Sequence, residues 1–297
     1  MKIIGKDSIS FRFDPALPPA ETVESGETVC FYTRDCYDEQ IDVDGKDFTL
    51  LDMHRNNPVT GPLYVDGAQP GDVLQVDILD IVPDGDAKMC VRLGSGIYEV
   101  EGCHCRRFPI RDGKLWFDNG VQIPIRPMIG VIGTCPAHGG DTKTPGDHGG
   151  NLDIPDLGIG SRIYLPVALP GALLSIGDCH ALQGDGETAI CGAEMSARVT
   201  VQVTVLKGRG GDIPTPFIET ADAVYTTAAN ASLDIASVAA ARKMHRYLIR
   251  ETSLTDAQAA MLLSLVGQLR ISQVVNPKKG CVMQVPKKYL PDALRRG

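Results

Sequence analysis

Arg198-Val199-Thr200-Val201-Gln202-Val203-Thr204-Val205-Leu206-Lys207 sets valine at every second position, with Thr200, Gln202 and Thr204 between. Side chains of an extended strand point alternately to its two faces, so this period of two predicts a strand with one buried and one wet face. A second strand is read over Val73 to Val82. There Leu74, Val76 and Ile78 alternate with Gln75 and Asp77, and then Leu79, Asp80 and Ile81 reverse the phase. A one-residue slip inside a strand predicts a bulge. Shorter candidates are Thr28 to Thr33, Gly61 to Val65, Met89 to Leu93, Met128 to Ile132 and Ile163 to Val167, separated by Gly/Pro turns.

Helical spacing comes late in the chain. Leu233, Ala236, Ala240, Met244 and Tyr247 predict a helix over Leu233 to Arg250. A second opens at Thr255-Asp256-Ala257-Gln258, a capping box, and continues through Leu262, Leu265, Val266 and Leu269. The expected fold class is mostly β (α+β), a sandwich or barrel-like body with C-terminal helices packed against it. Residues 1–206 are read as a β-rich body carrying the active site. Residues 207–297 are read as a mixed part with two helices on the same core.

Composition narrows the function class. A hydrophobic content of 43% with 22% charged residues is that of an ordinary globular chain. A net charge of −8 opposes nucleic-acid binding, which needs clustered Lys and Arg. The lysines from Lys278 to Lys288 are interrupted by apolar residues and Pro286, and read as a solvated face. No uncharged apolar run approaches the ~18 residues of a membrane span. The opening MKIIGKDSIS lacks a secretory apolar core, so a cytoplasmic location is expected, with the nine cysteines reduced.

Three polar clusters stand among glycines: His148-Gly149-Gly150-Asn151-Leu152-Asp153; Gly177-Asp178-Cys179-His180 followed by Gln183 to Glu187 and Glu194; and Asp35, with Asn56 and Asn57. Between residues 130 and 160 there are nine glycines and little periodicity, which predicts a long functional loop without regular structure. Asp-x-His places both side chains on one side of an extended backbone, so Asp178 and His180 could chelate one ion. A short helix after His180 would bring Glu187 to the same face. Imidazole with carboxylates suits zinc, and an all-oxygen set suits calcium. Such an ion lowers the pKa of bound water to about 7 and polarises an amide carbonyl, with Glu194 or Glu187 as proton shuttle. An isolated His–Asp pair also occurs as a plain surface hydrogen bond, and Asp185 fits ordinary Gly-Asp-Gly turn chemistry. The rival nucleophiles are Cys179 and Cys191, although alternation turns Cys179 away from His180. His104, His138 and His245 read as structural.

Longer patterns carry a resemblance: Asn57-Pro58-Val59-Thr60-Gly61-Pro62, Gly67-Ala68-Gln69-Pro70-Gly71-Asp72, Arg126-Pro127-Met128-Ile129-Gly130, Pro145 to Asp153, and Gly177 to Glu187. In these, in their order and spacing, and in the tail from Ser264 to Val275, the chain resembles the acetamidase/formamidase family. The resemblance implies hydrolysis of formamide, acetamide or a similar short amide to ammonia and a carboxylate. It also implies a mostly β intracellular enzyme and a homodimer or higher homo-oligomer. It carries the polar site residues over to Asp35, His148, Asp153, Asp178, His180, Glu187 and Glu194. On this reading Asp35, His148, Asp153, Asp178 and His180 supply the ligands of a divalent metal, zinc favoured and calcium possible. Glu194 and Glu187 are catalytic, and Asn57, Thr60 and Asn151 bind substrate, with Asn57 to Pro62 shaping the pocket as a turn. Two alternatives stand beside it: a metal-free cysteine amidase, and a non-enzymatic β-sandwich ligand-binding module.

Overall fold

The computed structural model describes residues 1–291; residues 292–297, the end of the predicted C-terminal part, lie outside the described residues. The strands that position the site are β1 (Thr28–Thr33), β2 (Val59–Val65), β3 (Val73–Pro83), β4 (Ala87–Arg92), β5 (Cys103–Phe108) and β6 (Met128–Gly133). There follow β7 (Gly149–Asn151), β8 (Arg162–Pro166), β9 (Leu174–His180), β10 (Glu194–Met195) and β11 (Ala197–Leu206). Beyond these come β12 (Phe217–Glu219), β13 (Ala223–Asn230), helices α1 (Leu233–Glu251) and α2 (Asp256–Val266), then β14 (Gln268–Gln273) and β15 (Lys279–Pro286).

Two large sheets face each other, as the alternation predicts. The first runs β1-β11-β3-β8-β12-β13-β15-β14, with Lys2–Ile4 parallel to β1 at its edge. The second runs β7-β6-β9-β10-β4-β5, with β2 also paired to β9. One apolar core fills the space between them, drawing Val199, Val201 and Val203 from β11 and Ile129, Ile132, Leu174 and Ile176 from the opposite sheet. All seven are fully buried, and each such side chain contributes about 1.5–3 kcal/mol relative to exposure. The predicted slip in β3 is present. Along β11, Thr200 faces Asp80 and Val201 faces Ile78, so Leu79 is the extra residue, and it is exposed.

A second core lies on the outer face of the first sheet. Ala236, Ala240, Met244 and Leu248, spaced by four along α1, pack with Ala259 and Leu263 of α2 onto Val224, Met283 and Val285. Neighbouring Ala223, Tyr225 and Val282 face the inner core instead, so β13 and β15 are buried on both sides. Thr255 and Gln258 form the predicted capping box. No described helix is long and apolar enough to cross a membrane.

Four local expectations are corrected. Gly149–Asn151 is not loop but strand, antiparallel to β6, because glycines at positive φ let its backbone approach Ile132 and Gly133. Asn57 to Pro62 is not a turn: β2 begins at Val59, and a Cβ at Gly61 would meet the carbonyl of Leu174 at 2.8 Å, so glycine permits the close pairing with β9. No helix follows His180; the segment to Ala193 is a loop. Finally, Cys90 and Cys105, directly opposed on β4 and β5, form a disulfide, while the other seven cysteines are free.

Candidate metal and active site

The site forms where β9 ends. Strand pairing sets Met128, His180, Glu194 and Lys88 in one row across β6, β9, β10 and β4. Glu194 therefore stands beside His180, with its Oε2 3.2 Å from His180 Nε2, and Asp178 Oδ1 lies 3.5 Å from the same nitrogen. Asp178 has φ 51°, a left-handed backbone uncommon outside glycine, at the strand position next to which Cys179 turns into the core.

Asp153 follows β7, and Glu187 comes from the loop after β9. That loop is pinned to the C-terminal part, where Gly186 donates to the Ser272 carbonyl at 3.0 Å and Val274 donates to the Gly186 carbonyl at 3.0 Å. Asp153, Glu187 and Asn57 share the left-handed backbone of Asp178, with φ between 44° and 54°. Strained conformations of this kind persist only where the surroundings over-determine them, and they gather at functional sites. Glycines leave the space: a Cβ on Gly130 would lie 2.7 Å from Asp153 Oδ1 and 2.9 Å from Asp178 Oδ2, and one on Gly192 would lie 2.5 Å from His180 Nδ1.

Polar neighbours fix the orientations. Asn57 Nδ2 donates to Asp178 Oδ2 at 3.0 Å, and Asn276 Nδ2 to Asp153 Oδ2 at 2.8 Å. His180 Nδ1 pairs with Gln183 Oε1 at 2.8 Å, while Gln183 Nε2 donates to the carbonyls of Asp153 and Ser272. These bonds leave one set of atoms over. Asp153 Oδ1, Asp178 Oδ1, His180 Nε2 and Glu194 Oε2 are buried without a hydrogen-bond partner. Buried polar atoms are almost always satisfied, so a convergent group of orphans needs an explanation. The ligand atoms fall into two compact groups, Asp153–His180–Glu187 and Cys36–Asp178–Glu194, each within 4.8 Å. The donor chemistry fits a divalent cation: imidazole and carboxylates, buried, with partners holding the second atom of Asp153, Asp178 and His180.

Without such a cation the acids repel. Burial and then Glu194 push the Asp178 carboxyl up to about 7. Burial and then Asp178 push Asp153 up to about 6, and burial with Asp153 holds Glu187 well above the carboxylate range. Burial alone would lower the His180 pKa, but Glu194 and Asp178 outweigh it and hold the ring well above its ordinary value.

Asp178, Glu187 and Glu194 open onto a cavity of about 190 Å³, walled also by Asn57, Asn151 and Asn276. Asn57 and Asn151 thus reach it, as read from the sequence. Thr60 lies in β2 and donates to the Tyr32 carbonyl at 3.0 Å, off the cavity wall. Asp35 is buried but ion-paired to Lys88, and it accepts from the backbone of Tyr37 and Glu39. His148 packs edge-on against Phe13, 5.0 Å between ring centres. Asp35 and His148 join neither ligand group among the described residues. Cys36 and Asn276 escaped the sequence reading. Cys36 adjoins Asp35 with no motif around it, and Asn276 sits one residue past the tail likeness in an ordinary Asn-Pro turn.

The profile of the Acetamidase/Formamidase family matches residues 4–102 and 136–290. An acetamidase from Bacillus halodurans has the same fold, with a TM-score of 0.94 and 40% identity over 97% of this chain and 98% of that one. A formamidase from Methylophilus methylotrophus is 29% identical over 66% of this chain and 63% of its own length. An acetamidase from Mycolicibacterium smegmatis is 29% identical over 66% of each. The chain thus spans just under two thirds of the curated relatives it matches. With the fold and more than four fifths of the sequence matched, the chain belongs to the acetamidase/formamidase family.

Proposed function

We propose that this chain hydrolyses a short amide to ammonia and a carboxylate, with a divalent cation held by Asp153, Asp178 and His180 and with Glu187 and Glu194 as proton carriers beside it. The observation that carries the reading is the convergence of four orphaned buried ligand atoms, those of Asp178 and Glu194 belonging to residues on the wall of a small cavity. A bound cation would supply Lewis acidity toward the carbonyl and acidify a water molecule. The imidazole and one carboxylate group favour zinc, and the carboxylates would also accept calcium.

The chain's own residues do the rest. Asn57 holds Asp178 Oδ2 and Gln183 holds His180 Nδ1, which fixes the two side chains and leaves Asp178 Oδ1 and His180 Nε2 without a partner. Glu187, whose carboxyl burial and Asp153 hold well above the ordinary range, is the group to exchange a proton with the departing amine. Glu194 Oε2, without a partner, is placed to accept a proton from water. Asn151 and Asn276 on the wall offer amide groups to the substrate's own amide. The thiols fit the nucleophile's part less well. Cys179 faces the core, and burial pushes Cys179 and Cys191 up to about 12. We include a homo-oligomer in the proposal, supported by the exposed apolar Met261, Leu265 and Leu269.

The test is ammonia release from formamide and acetamide by the chain stripped with chelator and then reloaded with zinc or calcium. Release that vanishes on stripping and returns on loading supports the reading. Undiminished release from fully stripped protein overturns the metal, and no release from any short amide overturns the amidase.

A further inference from the structure

One face of β4 runs along the cavity. Cys90, buried, and Arg92, exposed, stand two apart on this face and line the cavity, and Lys88, two residues before Cys90, pairs with Glu194 across the strands. Four residues of strand put the Arg92 backbone about 13 Å from that of Lys88. Lys88 is ion-paired to Asp35, but Arg92 has no ion pair among the described residues; its guanidinium lies 4.5 Å over the ring of Phe48. Lys143, also on the wall, has no ion pair either and gives its Nζ only to the Met53 carbonyl at 3.1 Å. The wall therefore carries three carboxylates, Asp178, Glu187 and Glu194, and two cations, Arg92 and Lys143, that no carboxylate compensates among the described residues. Its volume of about 190 Å³ equals about six waters at ~30 Å³ each, more than the four non-hydrogen atoms of acetamide require.

Building on the amidase reading above, we infer that the substrate is the monoamide of a short dicarboxylic acid, its free carboxylate held at the rim by Arg92 and Lys143. The amide end then meets the three carboxylates of the wall while the free carboxylate pairs with the two cations. A planar guanidinium stacked on Phe48 keeps its donors free for a bidentate carboxylate. Arg92 and Lys143 determine specificity under this inference; they touch no reacting atom.

The experiment compares succinamate with butyramide, of matched length, on metal-loaded full-length chain. The expected kcat/KM ratio favours succinamate by tenfold or more. Changing Arg92→Gln together with Lys143→Gln should cut that ratio at least tenfold through KM, and Arg92→Lys should keep most of it. Raising salt should shrink the preference, since the rim is solvated. A wild-type ratio near one, or a ratio unchanged in the double variant, overturns the inference. Calorimetric titration with succinamate separates the two readings. Binding that depends on Arg92 and Lys143 without ammonia release from any short amide would sink the amidase, and with it the substrate role, while keeping the carboxylate site. Absence of binding would sink the inference while butyramide or acetamide turnover kept the amidase.

Discussion

Replacing Gly130 by alanine probes the site without removing any ligand. Gly130 lies in β6 against β9, and its backbone is not in the left-handed region, so alanine brings volume and no conformational strain. The added methyl would sit 2.6 Å from the Asp178 carbonyl, 2.7 Å from Asp153 Oδ1 and 2.9 Å from Asp178 Oδ2. An ordinary carbon–oxygen contact is about 3.3 Å, so these atoms must withdraw by about 0.4–0.7 Å. Strand pairing on both sides of β6 prevents the backbone from giving way, so the carboxylates move. Overpacking of this kind destabilises by about 1–3 kcal/mol, about 2–10 °C in melting temperature for a chain of this size. Ligand displacement approaching 1 Å can lower turnover by about 10²-fold. The assay pairs thermal unfolding with bound-metal content and ammonia release. A Gly130→Ala chain that melts normally, holds its metal and turns over within threefold of the parent would refute the claim that Asp153 and Asp178 must converge.

Asn57 reads from the sequence as a substrate-binding residue, but its hydrogen bond to Asp178 also ties it to the ligand set. Asn57→Ala should weaken metal binding by about 10–100-fold and lower kcat as well, and a pure KM effect in a metal titration with kinetics would contradict the geometry. Cys179→Ala and Cys191→Ala, with metal present, should retain near-normal turnover; complete loss in either folded variant with metal bound would move the nucleophile to sulfur. In metal-free protein Asp178 and Asp153 titrate near 7 and 6, above their unfolded values, and His180 well above its own. The folded state then binds more protons than the unfolded one across those windows, so stability falls as pH rises from about 5 to 8. Added metal should abolish that slope, and a chelated protein that grows more stable over the same range would show the pKa directions to be wrong.

The strands were legible because their burial is one-sided. Valines at every second position of β11 face the inner core, and the phase reversal at Leu79 marks the bulge against Thr200 and Val201. The α1 face and the Thr255 cap were legible for the same reason, a period matched to one buried side, whereas the face read for α2 was wrong: Ala259 and Leu263 are buried, Leu265 is exposed and Leu269 lies in β14. Local geometry misled where glycine was read as loop. At Gly149–Gly150 and at Gly61, the missing Cβ lets one strand lie close against another, a relation between segments that no local pattern encodes.

By itself the sequence determined a two-faced β body, two late helices, and the neighbours Asp178 and His180, because one strand's alternation places residues two apart on one side. Only the tertiary structure decided who joins them. Glu194 arrives through the register of β9 with β10, Asp153 and Glu187 through left-handed turns, and Asn276 from the far end of the chain. Only the fold, too, set Asp35 against Lys88, Thr60 against Tyr32 and His148 against Phe13. The physical reason is range: periodicity reports which face of an element is buried, whereas the ligand set depends on strand register and loop closure between Asp153 and Glu194, and on Asn57 and Asn276, which hold Asp178 and Asp153 from more than a hundred residues away.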